Sequence, residues 1–205
     1  MKRRFLFLTL CVILTNLAAL AAKPLHGCVG RLLIVAVSSS ADQVIMGQML
    51  SVLINERTGT TVNIVHPGDL KACHETVLNG KADIYIDYIG LAQTSTGISS
   101  DVDDPQEAYT LVSQSYLDKF GMVWLKPFGF QGPWTSEIQP GKEGGTLAAP
   151  IATKDVLRKF PVLDRLINKL AGRIDNKIIN ELKKNTKDQD LEVAVREFLK
   201  AQKLI

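Results

Sequence analysis

The sequence predicts an α/β protein: a three-layer, mainly parallel, doubly wound sheet with helices on both faces and more helices at the C-terminus. Two observations carry this. Strand-like and helix-like stretches alternate as β-α-β-α-β between residues 31 and 89, the order of a parallel sheet with crossover helices. Within that order, Asp83-Ile84-Tyr85-Ile86-Asp87-Tyr88-Ile89 is apolar at both parities. A strand apolar on both faces belongs in the middle of a sheet covered on both sides.

The elements follow in order. Arg31-Leu32-Leu33-Ile34-Val35-Ala36-Val37 reads as a buried strand running into Ser38-Ser39-Ser40. A helix then spans about 41–57, with Val44, Ile45, Met49, Val52 and Leu53 at helical spacing and Thr58-Gly59 as its stop. Residues 61–65 read as the second strand and His66-Pro67-Gly68 as its turn. Asp69 caps a helix over about 69–78, which Asn79-Gly80 closes before the strand at 83–89. A polar, turn-rich stretch to Asp104 follows, then a helix from Pro105 to about Phe120 and a strand at 122–125. Pro133, Pro140, Gly141, Gly144 and Gly145 make 133–145 a surface loop or linker. Residues 146–153 can return a strand to the sheet, and three helices, about 154–170, 175–184 and 191–203, complete the chain.

Lys2, Arg3 and Arg4 precede an apolar run from Phe5 to Leu20, and Ala19-Leu20-Ala21 supplies a small-x-small cleavage site. Residues 1–21 thus read as a secretory signal peptide rather than a membrane span. Removing 21 of the 205 residues leaves 184 in one domain, and takes away three of 24 basic and none of 21 acidic side chains. The exported chain is net neutral, which removes the global support for nucleic-acid binding. Export points to a periplasmic or otherwise extracytoplasmic location. Leu25-His26-Gly27-Cys28 partly matches a lipoprotein box, so a lipid anchor at Cys28 stands as the alternative to a soluble cleaved form. A Cys28–Cys73 disulfide is not expected. The two residues fall at opposite ends of a seven-residue strand, roughly 23 Å apart, where a bridge needs Cα atoms within about 7 Å.

Sites were weighed against plainer readings. The loop Ser38, Ser39, Ser40 sits between a strand and a helix N-terminus, where hydroxyls and N–H groups can meet an anionic ligand group. Serines there are also ordinary caps. Asp87 and Tyr88 end the central strand, where parallel sheets bind ligands, although Tyr88 reads equally as a half-buried strand aromatic. His66, Cys73, His74 and Glu75 do not make a metal site, because Cys73 and His74 diverge by about 100° on a helix and no second pair completes a tetrahedron. The serines with a His and Asp87 lack a nucleophile elbow, and Gly141-Lys142-Glu143-Gly144-Gly145 lacks the context of a phosphate loop. No metal, cofactor or enzymatic activity is expected.

Four blocks carry a resemblance. Residues 38–50, from Ser38-Ser39-Ser40-Ala41-Asp42-Gln43 to Gly47-Gln48-Met49-Leu50, resemble the opening motif of the glycine betaine/choline/carnitine substrate-binding proteins of ABC importers. His74-Glu75-Thr76-Val77-Leu78 through Asp83-Ile84-Tyr85-Ile86-Asp87-Tyr88-Ile89-Gly90 is similar to that family's H-E-A-L-x-x-G-x-I-D-L-Y-x-E-Y-T-G. Val123-Trp124-Leu125-Lys126-Pro127-Phe128-Gly129-Phe130 is similar to V-W-L-x-P-x-G-F, and residues 153–205 resemble the closing helices.

The resemblance implies the fold of lobe one of a periplasmic binding protein. Lobe two, which the family inserts after the G-F segment, is absent, and residues 133–145 bridge the gap. It also implies a quaternary ammonium ligand held by tyrosines through cation–π contacts. Tyr88 matches the cage tyrosine and Trp134 falls near the crossover tyrosine. Asp87 replaces a Glu, Ile89 a Thr, and Ser40-Ala41 a Phe-Thr. Ser38, Ser39, Asp42 and His66 complete the candidate ligand-binding set. The implied function is the exported binding component of an osmoprotectant uptake system, with an ABC permease as partner and ligand binding weakened or lost. The alternative is a non-binding interaction module or homodimer built on the same fold.

Overall fold

The computed structural model describes residues 32–98, 104–132, 147–186 and 189–205. The leader, Cys28, Trp134 and the 133–145 linker lie outside these residues. Among the described residues one mixed sheet of five strands organises the chain: β1 (Leu32–Ser38), β2 (Thr61–Gly68), β3 (Ile84–Tyr88), β4 (Met122–Trp124) and β5 (Ala148–Thr153). Their spatial order is β2-β1-β3-β5-β4. β1 pairs in parallel with both β2 and β3, while β5 runs antiparallel between β3 and β4. Four strands therefore point the same way, with the reversed strand supplied by the chain returning after the linker.

β3 is the centre, and all five of its residues are buried. Its alternation splits the core in two. Ile84, Ile86 and Tyr88 pack with the helix α1 (Ala41–Thr58) and the C-terminal helices, α5 (Lys154–Lys159), α6 (Leu163–Ile167), α7 (Asn176–Asn185) and α8 (Leu191–Ala201). Tyr85 packs on the opposite face with α2 (Leu70–Leu78), α3 (Ile89–Thr96) and α4 (Pro105–Phe120). This is the expected three-layer arrangement. The β1–β3 register is pinned at the start of β3 by Asp83, whose N–H donates to Ile34 O (2.8 Å) while its Oδ2 accepts from Ile34 N–H (2.8 Å).

Several elements differ from expectation. Strand β2 runs through His66 and Pro67 to Gly68 after a bulge opposite Ala36–Ser38, which an edge strand tolerates because a proline there breaks no ladder. Ile89, expected to end the central strand, and residues 91–96, expected to be turn-rich, lie in α3, closed by Gly97 in the left-handed region (φ 72°). Thr94, Ser95 and Thr96 donate their hydroxyls to the carbonyls of Gly90 and Ala92, so the polar stretch satisfies itself inside a helix. The single helix expected over 154–170 is broken after Lys159. Pro161 cannot donate to that helix, and it disfavours α geometry at Phe160, which takes φ −128°, ψ 76°.

Candidate functional site

The carboxyl ends of β1, β2 and β3 open into one cleft of about 920 Å³, walled by α2, α3 and α4. Strand ends of this kind are where an open α/β sheet presents a ligand. Ser38, Ser39 and Ser40 form its first edge. Ser40 stands at the N-cap position of α1, yet its hydroxyl bonds none of the helix N–H groups. Instead Ser38 Oγ and Ser40 Oγ lie 3.3 Å apart, so the cap reading gives way to a hydroxyl pair at the cleft edge. Asp69, also on the edge, does cap its helix, accepting from Ala72 N–H at 2.8 Å.

Asp87 forms the floor. Strand alternation puts it on the face of Tyr85, toward α2 and α4, with 7% of its surface exposed. Its Oδ1 accepts from Tyr88 N–H at 2.8 Å, and its Oδ2 lies 3.5 Å from the Tyr85 hydroxyl. Burial raises the carboxyl to about 7, against the lowering effect of bonds from Tyr88 N–H and the Tyr85 and Tyr116 hydroxyls. Beside it stands a knot of rings. His74 meets Tyr85, Tyr116 and Phe120 edge to face, with centroids 5.7, 5.6 and 5.0 Å away. Tyr116 meets Phe120 and Trp124 in the same way. His74 Nδ1 lies 2.8 Å from the Tyr85 hydroxyl, and burial lowers the imidazole below its usual range. The same desolvation lifts Tyr85 well up and Tyr116 to about 12.

The family is decided by the sequence comparison. A family model described as the substrate-binding domain of the ABC-type glycine betaine transport system matches residues 32–139. This chain belongs to that family. The carnitine transport binding protein of Listeria monocytogenes is 24% identical over 181 residues, which cover 86% of this chain and 56% of that protein. The chain thus spans just over half the length of the curated relative it matches. Among solved structures, a glycine betaine/carnitine/choline ABC transporter protein superposes with a TM-score of 0.74 at 18% identity, over 85% of this chain and 98% of that one. Apo YehZ from Escherichia coli does so with 0.74 at 13% identity, over 84% and 99%. Both share the fold. As a member of a family of transport substrate-binding domains, the chain is not an enzyme.

Within this family frame the expected site residues divide. Ser38, Ser39, Ser40 and Asp87 come together in the cleft. His66 is exposed on the edge strand β2 and does not line it. Asp42 turns to α7, where it pairs with Lys183. Tyr88 points away from Asp87 into the core and is only 2% exposed. Its ring meets Phe130 edge to face and lies against Gly132 so closely that a Cβ there would fall 2.2 Å from Tyr88 Cδ1. Burial pushes its phenol up to about 12. Trp134 lies outside the described residues.

Sequence reasoning had not placed His74, Tyr116 or Phe120 at the site. The signal for the first was present: His74 sits one turn into the helix that Asp69 caps, which aims that turn at the strand ends. Among the described residues no group of three or more His, Cys, Asp or Glu could hold a metal ion, and no helix is long and apolar enough to cross a membrane.

Proposed function

We propose that this chain is the exported binding component of an ABC-type uptake system for small organic ammonium solutes of the betaine and choline kind, reduced to one lobe. The observation that carries the reading is the cleft at the ends of β1, β2 and β3. It combines a buried carboxylate, a serine pair and aromatic rings in a concavity large enough for such a solute.

The reduction to one lobe is supported by how the chain closes on itself. Gln131 and Leu147 form an antiparallel bridge, and Ala148 N–H donates to Phe130 O at 3.0 Å. The points where a second lobe would leave and return are therefore paired directly. The fifteen residues 132–146 between Gln131 and Leu147 are too few for a domain, which takes at least about 50. A one-lobed cleft leaves its ligand open to water. Losing two or more partner-lobe aromatic contacts, at ~1 kcal/mol each, weakens binding about tenfold per 1.4 kcal/mol. Weak binding follows. The same reading includes extracytoplasmic export by residues 1–21 and presentation to a permease.

A second reading is favoured by one observation. The face of Tyr88 that the resemblance assigns to the ligand is occupied by Gly132, which suits a derivative that has given up ligand and serves as an interaction module or homodimer. Titration calorimetry with betaine, choline and carnitine, run beside sedimentation, separates the two. The first reading expects weak binding by a monomer. Tight binding by a strict monomer refutes the one-lobe argument, and no binding at tens of millimolar hands the case to the second reading.

A further inference from the structure

Resting on the reading that the cleft takes an organic ammonium, we infer that it selects ammonium ions that carry N–H bonds over fully methylated ones. A quaternary ammonium has no donor and gains its affinity from open aromatic faces. This cleft has few to give. Tyr85, Tyr88, Tyr116 and Trp124 are each at most 4% exposed, with the first and third in edge-to-face contact with neighbouring rings and Tyr88 shut behind Gly132. Among the described rings lining the cleft, only His74 and Phe120 are half-buried rather than buried.

What the cleft offers instead is acceptors. Asp87 is met by hydroxyls of Tyr85 and Tyr116; the Tyr85 contact to Oδ2 is long, at 3.5 Å, and that hydroxyl has a nearer partner in His74 Nδ1 at 2.8 Å. On α3, the hydroxyls of Thr94 and Ser95, which line the cleft, donate to backbone carbonyls, so toward a ligand each can serve as an acceptor, with Ser95 Oγ also 3.5 Å from the Tyr116 hydroxyl. A carboxylate and two hydroxyl acceptors lining one cleft are matched by a cation that donates. Each N–H···carboxylate bond is charge-assisted and shorter than any contact a methyl shell permits.

The test is a series on one skeleton. Choline, N,N-dimethylethanolamine, N-methylethanolamine and ethanolamine are titrated calorimetrically into the purified exported chain at pH 8. The expected result is that dimethylethanolamine, with its first N–H, binds at least tenfold more tightly than choline. In Asp87→Asn, with its fold checked by circular dichroism, that preference falls to less than threefold. Should the variant not fold, the wild-type series still decides. Choline binding as tightly as the tertiary amine overturns the inference while leaving the ammonium-binding reading intact. Failure of all four to bind overturns both.

Discussion

Replacing Asp87 by Asn should make the unliganded protein more stable at neutral and alkaline pH. The carboxyl is raised from 3.8 to about 7, chiefly by desolvation, so the native state holds a proton that the unfolded chain releases. Stability from this group is fully present below the unfolded value of 3.8, and it is lost as pH rises through the window up to about 7. A shift of this size corresponds to roughly 4 kcal/mol at its upper bound. Between pH 5 and pH 8 the wild type should lose about 2.5 kcal/mol through Asp87 alone. Asn keeps an oxygen to accept from Tyr88 N–H and a near-identical shape, but carries no charge to desolvate. Urea unfolding of wild type and variant at both pH values isolates the term, because His74, Cys73 and the tyrosines are common to both. The variant should gain on the wild type by about 2.5 kcal/mol more at pH 8 than at pH 5. An equal difference at the two pH values, or a variant that falls further behind at pH 8, would show that the hydroxyls of Tyr85 and Tyr116 compensate the buried charge.

Other outcomes follow from the same structure. Gly132→Ala places a methyl group into the Tyr88 ring and should cost about 1–3 kcal/mol in urea unfolding. The cost should shrink in a Tyr88→Ala background, and a neutral Gly132→Ala would mean that the contact is loose. Cys73 is fully buried, and burial together with Asp69 and Asp87 raises its thiol to about 11. It should resist maleimide at pH 7.5 until the protein is unfolded, and rapid labelling of native protein would contradict its placement. Ammonium binding requires the ionised Asp87, so affinity should fall about tenfold from pH 8 to pH 6. A flat profile in calorimetry would remove Asp87 from the site.

The central strand and the edge of the sheet at which the cleft opens were legible in the sequence, because a short strand apolar at both parities has few other places to go. The division of labour at its end was legible too, but only through the period of two. Asp87 and Tyr88 are adjacent and so must face opposite layers. Motif resemblance grouped them in one site, whereas the structure has Asp87 lining the cleft and Tyr88 buried in the opposite layer. Helix α3 was hidden because its threonines and serine read as turn residues, and their back-bonding to Gly90 and Ala92 appears only once the helix exists. The knot of His74, Tyr116 and Phe120 joins α2 to α4 across 42 to 46 positions of sequence. No local pattern announces such a contact. Pro161, by contrast, was a plain signal of a helix break.

The central claim is that a small ammonium solute binds on the Asp87 side of β3. Its most direct test is to map amide chemical-shift changes in the labelled protein as choline or dimethylethanolamine is added to saturation. Shifts should concentrate at Ser38–Ser40, His74, Asp87 and Ser95, with Gly132 and the core around Phe130 unmoved. Shifts centred on Gly132 and Phe130 would move the site to the Tyr88 side of the sheet and contradict the account.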